Sequence, residues 1–289
     1  MTPSPSDPHE IAVISTYRYL RLATIVVVLM LGAAVVAQRL QSPCWQSSIS
    51  AYYFTAAHSI FVASLCAIGA CLIVYHGSSD TEDVILNYAG FLSFIVAMVP
   101  TDREAVCGPV GVAEGFDVLP GVRNNVWAVL IAGVVAEGVR VALLRGTGRP
   151  APSRWARLAT VLGWLIIGVG FIAFLAAPTA FANYGHTTAA VAMFIGIISV
   201  VLINAWSARA ADQPSAYVHT YQTIAAVMTA TIAVIIAIRM AIPAWRHIII
   251  VVEVVLILAF AAFWLVQTKE LWEVADRREL SPGTDPTGR

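Results

Sequence analysis

The chain has 289 residues, of which 59% are hydrophobic and 12% charged, against roughly 45–50% apolar and 25% charged in soluble domains. A mean hydropathy of +0.79 and a net charge of zero exclude a soluble globular protein and leave no basic face to track a nucleic-acid backbone. The one lysine, Lys269, follows the last apolar run, so no amine is placed for a buried Schiff base.

Residues 1–19 carry Pro3, Pro5 and Pro8 among Ser and Asp and read as a disordered tail. Arg18 and Arg21 introduce the first apolar run, 22–37. More apolar runs follow it, which makes it a membrane span; a signal peptide ending at Ala37 is the second reading. Between this span and the next stands a stretch of hydroxyls, two tyrosines and a histidine, from Ser47 to His58. Such side chains are costly at a membrane boundary unless bonded. They form either an interfacial belt that caps a helix or one wall of a polar site.

Spans two and three, 56–75 and 84–100, flank a short acidic loop with Asp80, Glu82 and Asp83. At about 1.5 Å per residue each approaches the ~30 Å of a hydrocarbon layer. The loop 101–125 holds Asp102, Cys107 and Asp117 and is too polar and too broken by Gly and Pro to enter lipid. The fourth span, 126–144, contains Glu137 and Arg140, whose i, i+3 spacing makes them a neutralising pair on one helical face. The most basic loop, Arg145 to Arg157, precedes spans 158–176, 186–206, 223–241 and 248–266. Gly133, Gly138, Gly163, Gly168 and Gly170 read as places of close helix approach. Residues 269–289 read as a charged, surface-lying cytoplasmic helix and tail.

The expected fold is therefore all-α: a polytopic transmembrane bundle over 20–268 with eight spans and both termini on one side. Of the 17 Lys and Arg residues, 11 fall on that side, 5 on the other, and Arg140 inside a span. An excess of this kind marks the cytoplasmic face and the plasma membrane. Seven of the 8 tryptophans lie near span ends, as interfacial residues do. Cys44 and Cys107 are the two loop cysteines, both on the oxidising side, and are expected to pair as a disulfide; Cys66 and Cys71 lie within a span.

Ser48-Ile49-Ser50-Ala51-Tyr52-Tyr53, Asn87, Gly90, the Val99-Pro100-Thr101 ending of span three, His186, Glu253 and Phe263-Trp264-Leu265 together resemble a group of bacterial membrane proteins with no agreed activity. In that group a Ser-Ile-Ser-Ala-Tyr-Tyr stretch follows the first span. More distantly the chain is similar to Frag/DRAM/Sfk-type membrane proteins. The resemblance covers residues 40–102 and 184–270. It implies six spans, so that 126–144 and 158–176 are an inserted pair, and it implies no function.

The topology brings several polar groups to the side opposite the termini. His58 lies about a turn into span two, Asp102 closes span three, His186 opens span six, and Glu253 lies about 9 Å below the interface in span eight. Glu253 has no basic residue within a turn of its own helix, so its partner comes from elsewhere or it is protonated. One pocket is expected to hold His58, Asp102, His186 and Glu253, with Ser50 and Tyr53 at its mouth. Three functions fit. The set binds or moves a small or lipid-like ligand; or the four residues hold a metal such as zinc in a lipid hydrolase; or they only cap and pack helices in a structural or regulatory membrane partner. No HExxH or GxSxG motif is present to favour enzymatic chemistry.

Overall fold

The computed structural model describes residues 8–101, 118–144, 151–242 and 248–277. Among them are eight helices and no strand: α1 (Pro8–Leu40), α2 (His58–Val74), α3 (Asp80–Met98), α4 (Leu119–Leu144), α5 (Arg154–Ala176), α6 (Pro178–Ala210), α7 (Ser215–Ala241) and α8 (Ile248–Glu270). Seven of them are long and apolar enough to cross a membrane, which fits an integral, multi-pass membrane protein. The other, α2, is apolar but has 17 residues, about 25 Å of helix.

Helix starts follow from local chemistry. Ser79 caps α3 by accepting a hydrogen bond from the Glu82 amide, and the acids Asp80, Glu82 and Asp83 fill the first turn, where the helix dipole favours negative charge. Ser153 caps α5 in the same way through Ala156, and the Asp80 carboxylate accepts from both the Ser153 amide and its hydroxyl. The two helix starts are thus tied together. Pro178 opens α6, at a position where its missing N–H costs nothing.

Six helices form a closed ring in the order α1, α2, α3, α6, α7, α8, with α8 packed back against α1. Helices α4 and α5 stand outside it, each against α3 and α6. The outer pair is joined by aromatic edges, with Trp127 lying 6.0 Å from Phe171 and 5.6 Å from Phe174. The pair that the resemblance implies to be inserted lies outside the ring. On α4 the expected Glu137–Arg140 pair is bidentate, with both contacts at 2.6 Å.

Helices α2 and α3 approach closely where Gly69 faces Gly90. A Cβ at Gly90 would lie 2.6 Å from the Gly69 carbonyl oxygen, and one at Gly69 would lie 2.8 Å from the Gly90 oxygen. Gly90→Ala should therefore push two backbones apart and cost about 1–3 kcal/mol, read as a lower midpoint of thermal unfolding in detergent; an unchanged midpoint would contradict the packing. Of the glycines expected from sequence to play this part, Gly163 lies under the Tyr88 ring, whereas Gly138, Gly168 and Gly170 face open space.

Several sequence boundaries need correction. Helix α1 begins at Pro8, inside the stretch 1–19 expected to be a tail. Ile14 is buried there and the Tyr17 ring packs edge-on against Tyr75 at 5.7 Å, so an apolar stripe carries the helix into the bundle. Helix α6 starts eight residues before His186, which puts that histidine about two turns inside the helix instead of at its opening. His58 is the first residue of α2, not a turn within it.

The C-terminal segment differs most. Helix α8 stops at Glu270, and the chain that follows folds into the bundle, with Leu271, Val274, Ala275 and Arg277 buried. Over residues 271–277 it is a strap across one end of the ring and not a surface helix, and residues 278–289 of the expected helix and tail lie outside the described residues. Arg21 of α1 donates to the carbonyls of Leu271 and Ala275 at 2.9 Å each, and Arg18 donates to that of Trp272. Arg277 forms a bidentate pair with Glu270 at 2.9 and 2.6 Å, which also accepts from the Tyr221 hydroxyl. Burial works against the Arg277 charge, but the Glu270 carboxylate outweighs it and holds the guanidinium above its ordinary pKa.

Candidate functional site

At the end of the ring opposite the strap, the loop between α1 and α2 folds down onto the start of α8. The Ile250 amide donates to the Ser47 carbonyl, and the loop then makes a 3₁₀ turn, Ser50–Phe54. Within it the Ser48 hydroxyl accepts from the Ala51 amide at 3.0 Å. This turn aims the Ile49 amide and the Ser50 side chain at α8.

Both meet Glu253. One carboxylate oxygen accepts from the Ile49 amide and the other pairs with the Ser50 hydroxyl at 3.0 Å. The same hydroxyl lies 2.7 Å from His186 Nε2, and His186 Nδ1 lies 2.7 Å from the carbonyl oxygen of Val99, at the end of α3. Three ring helices and the loop are thereby joined by one hydrogen-bonded chain. His186 and Ser50 are buried.

Donor accounting gives this chain a definite chemistry. The Val99 carbonyl only accepts, so Nδ1 carries hydrogen, and a serine hydroxyl has one hydrogen to give. If Ser50 donates to Glu253, Nε2 must donate to Ser50 and the imidazole is a cation. If Ser50 donates to Nε2, Glu253 must be the protonated partner. For both Ser50 contacts to be hydrogen bonds, histidine and carboxylate share one further proton, which sits at one end or the other.

Glu253 and Ser50 also line a cavity of about 70 Å³ inside the ring. Its walls are otherwise mostly apolar, from α1, α2, α3, α6 and α8, and include Phe61, Phe194 and Phe260. Ser93 lines it too, with its hydroxyl turned to the Leu65 carbonyl at 2.8 Å.

The structure thus brings together Ser50, His186 and Glu253 from the expected set and places two others apart. His58 bonds the Tyr53 carbonyl through Nδ1 at 2.6 Å and takes no part in the chain: it closes its own turn at the start of α2. Tyr53 does not line the cavity; its ring packs edge-on against Phe54, His58 and Phe61, and burial pushes its phenol above the ordinary pKa. Asp102 lies outside the described residues, as does Cys107 of the expected disulfide; Cys66 and Cys71 are free thiols. Among the described residues no group of three or more His, Cys, Asp or Glu is arranged to hold a metal. His186 uses both ring nitrogens in hydrogen bonds, to Val99 and Ser50.

A second polar network, near the strap, is not foreseen from the sequence. Glu82, expected in a loop, is fully buried and accepts from Asn204 at 2.7 Å and from the Ser78 amide at 3.0 Å. Gln267 donates in turn to Asn204 at 2.9 Å. An asparagine inside an apolar span and a glutamine directly after one were the available signal. No family model, curated protein or solved structure matches this chain.

Proposed function

We propose that this chain is an eight-span plasma-membrane protein with both termini cytoplasmic, whose ring binds or moves a small or lipid-like ligand in the cavity beneath Ser50 and Glu253. On this reading α2 crosses with the seven longer helices, the Glu253 end faces outward, and Cys44 and Cys107 form a disulfide there. The observation that carries it is the cavity itself: a mostly apolar space inside the ring that ends on a carboxylate and a hydroxyl, the usual lining of a small-molecule site.

Two measurements test it. The protein purified in mild detergent should yield a bound small molecule or lipid on extraction and mass spectrometry. Ala190→Met, which fills the cavity from α6, should lose that ligand while keeping its thermal transition; an extract equal to the wild type's refutes the site. For topology, a reporter active only outside the cytoplasm and fused after Arg149 should be silent, since the excess of basic residues requires that loop inside. Activity there overturns the orientation.

A further inference from the structure

Glu253 has neutral partners in the Ile49 amide and the Ser50 hydroxyl, and among the described residues it forms no ion pair with an arginine or lysine. The charge of a carboxylate so placed is balanced while it shares the proton on the Ser50–His186 chain, or while a cation lies beside it. The cavity it faces presents the rings of Phe61, Phe194 and Phe260, and aromatic faces attract organic cations through their quadrupoles. An arginine or lysine is absent from the lining, so nothing there repels a positive ligand.

We infer that the cavity takes a small organic cation of the alkylammonium class in exchange for the proton that Glu253 and His186 share. The inference rests on the reading of the cavity as a ligand site and names the ligand's chemistry. A cavity of about 70 Å³ has room for roughly five water-sized groups at about 10–15 Å³ each, the size of tetramethylammonium. The exchange balances: one positive charge enters, one proton leaves to solvent, Ser50 keeps its hydrogen, and Glu253 becomes the counter-ion. His186 stays neutral, with Nδ1–H on the Val99 carbonyl.

Four other charged or titratable groups are described on the α1–α2 loop and the helix ends that flank it. Arg39 bonds the Ser42 carbonyl and lies over the Trp45 ring, Tyr52 and Tyr53 belong to the 3₁₀ turn, and His58 is on the Tyr53 carbonyl. None of them bonds Glu253.

The test titrates the purified full chain with tetramethylammonium chloride and, separately, with tert-butanol, a neutral molecule with the same number of heavy atoms. Heat and proton release into weak buffer are followed together. Tetramethylammonium should bind at least about tenfold more tightly than tert-butanol and release close to one proton per protein. Glu253→Gln should abolish both the preference and the release. Phe194→Leu, which keeps the chain of hydrogen bonds, should weaken tetramethylammonium several-fold and leave tert-butanol unchanged, so the idea remains testable if Glu253→Gln does not fold. Equal affinity for the two probes overturns the cation while leaving the cavity reading intact. Binding of neither also overturns it, and a co-purified ligand lost in Ala190→Met would then still support the cavity.

Discussion

Arg277→Ala should lower the stability of the folded chain by about 3–5 kcal/mol, the range found when one partner of a buried ion pair is removed. The Arg277 and Glu270 side chains are 2% and 0% exposed, so the carboxylate left behind cannot recover solvent. Among the described residues it would retain only the Tyr221 hydroxyl. The strap would also loosen, because at residue 277 it would be tied down by the backbone amide on the Ser78 hydroxyl without the side-chain pair. Thermal unfolding in detergent measures the loss, and protease cleavage between Leu271 and Arg277 reports the strap directly. The double variant Glu270→Gln, Arg277→Met should recover much of the loss, since replacing a whole buried pair by uncharged groups is often neutral. Equal damage in the double variant would mean that the strap is held by shape and not by the pair.

Ser50→Ala should cost about 2–4 kcal/mol. Among the described residues the hydroxyl is the one link between His186 Nε2 and Glu253 Oε1, and each buried group left without a partner costs about 1–3 kcal/mol. Ser48→Ala is the control: it removes a hydroxyl two residues away that satisfies one local amide, worth about 1 kcal/mol as a cap. If the two variants melt together, the Glu253–Ser50–His186 chain contributes no more than a turn does. Ser50→Thr, which keeps the hydroxyl, separates lost bonding from lost shape.

The helices were legible because a bilayer demands long apolar runs, and those runs survive any packing arrangement. Their ends were not: Pro8 to Arg21 and Pro178 to Gly185 extend helices past the apolar stretch, held by contacts such as Tyr17 on Tyr75 and Phe181 on Phe174 that hydropathy does not register. In the site, Ser50, His186 and Glu253 could be found as polar residues with nothing nearby in sequence to satisfy them. His58 looked the same and was misleading, since its partner, the Tyr53 carbonyl, is a backbone group and backbone partners leave no trace in composition. The strap network was hidden by a plausible alternative for every member. Arg18 and Arg21 passed for flanking charges, Glu82 for a loop acid, and Arg277 for part of a soluble tail, so none called for an explanation.

The seam between α1 and α8 sets the order in which the protein can be built. Arg21 finds its acceptor on Leu271, 250 residues later in the chain, which at about 5–20 residues per second is a delay of roughly 12–50 s. Throughout that interval the first helix is already in the membrane with a guanidinium that has no final partner, and Glu82 waits likewise for Asn204. The ring therefore cannot be assembled one hairpin at a time as the helices emerge. Closure must wait for the last helix and the strap, and until then Arg21 lacks the Leu271 and Ala275 carbonyls that satisfy it in the finished fold.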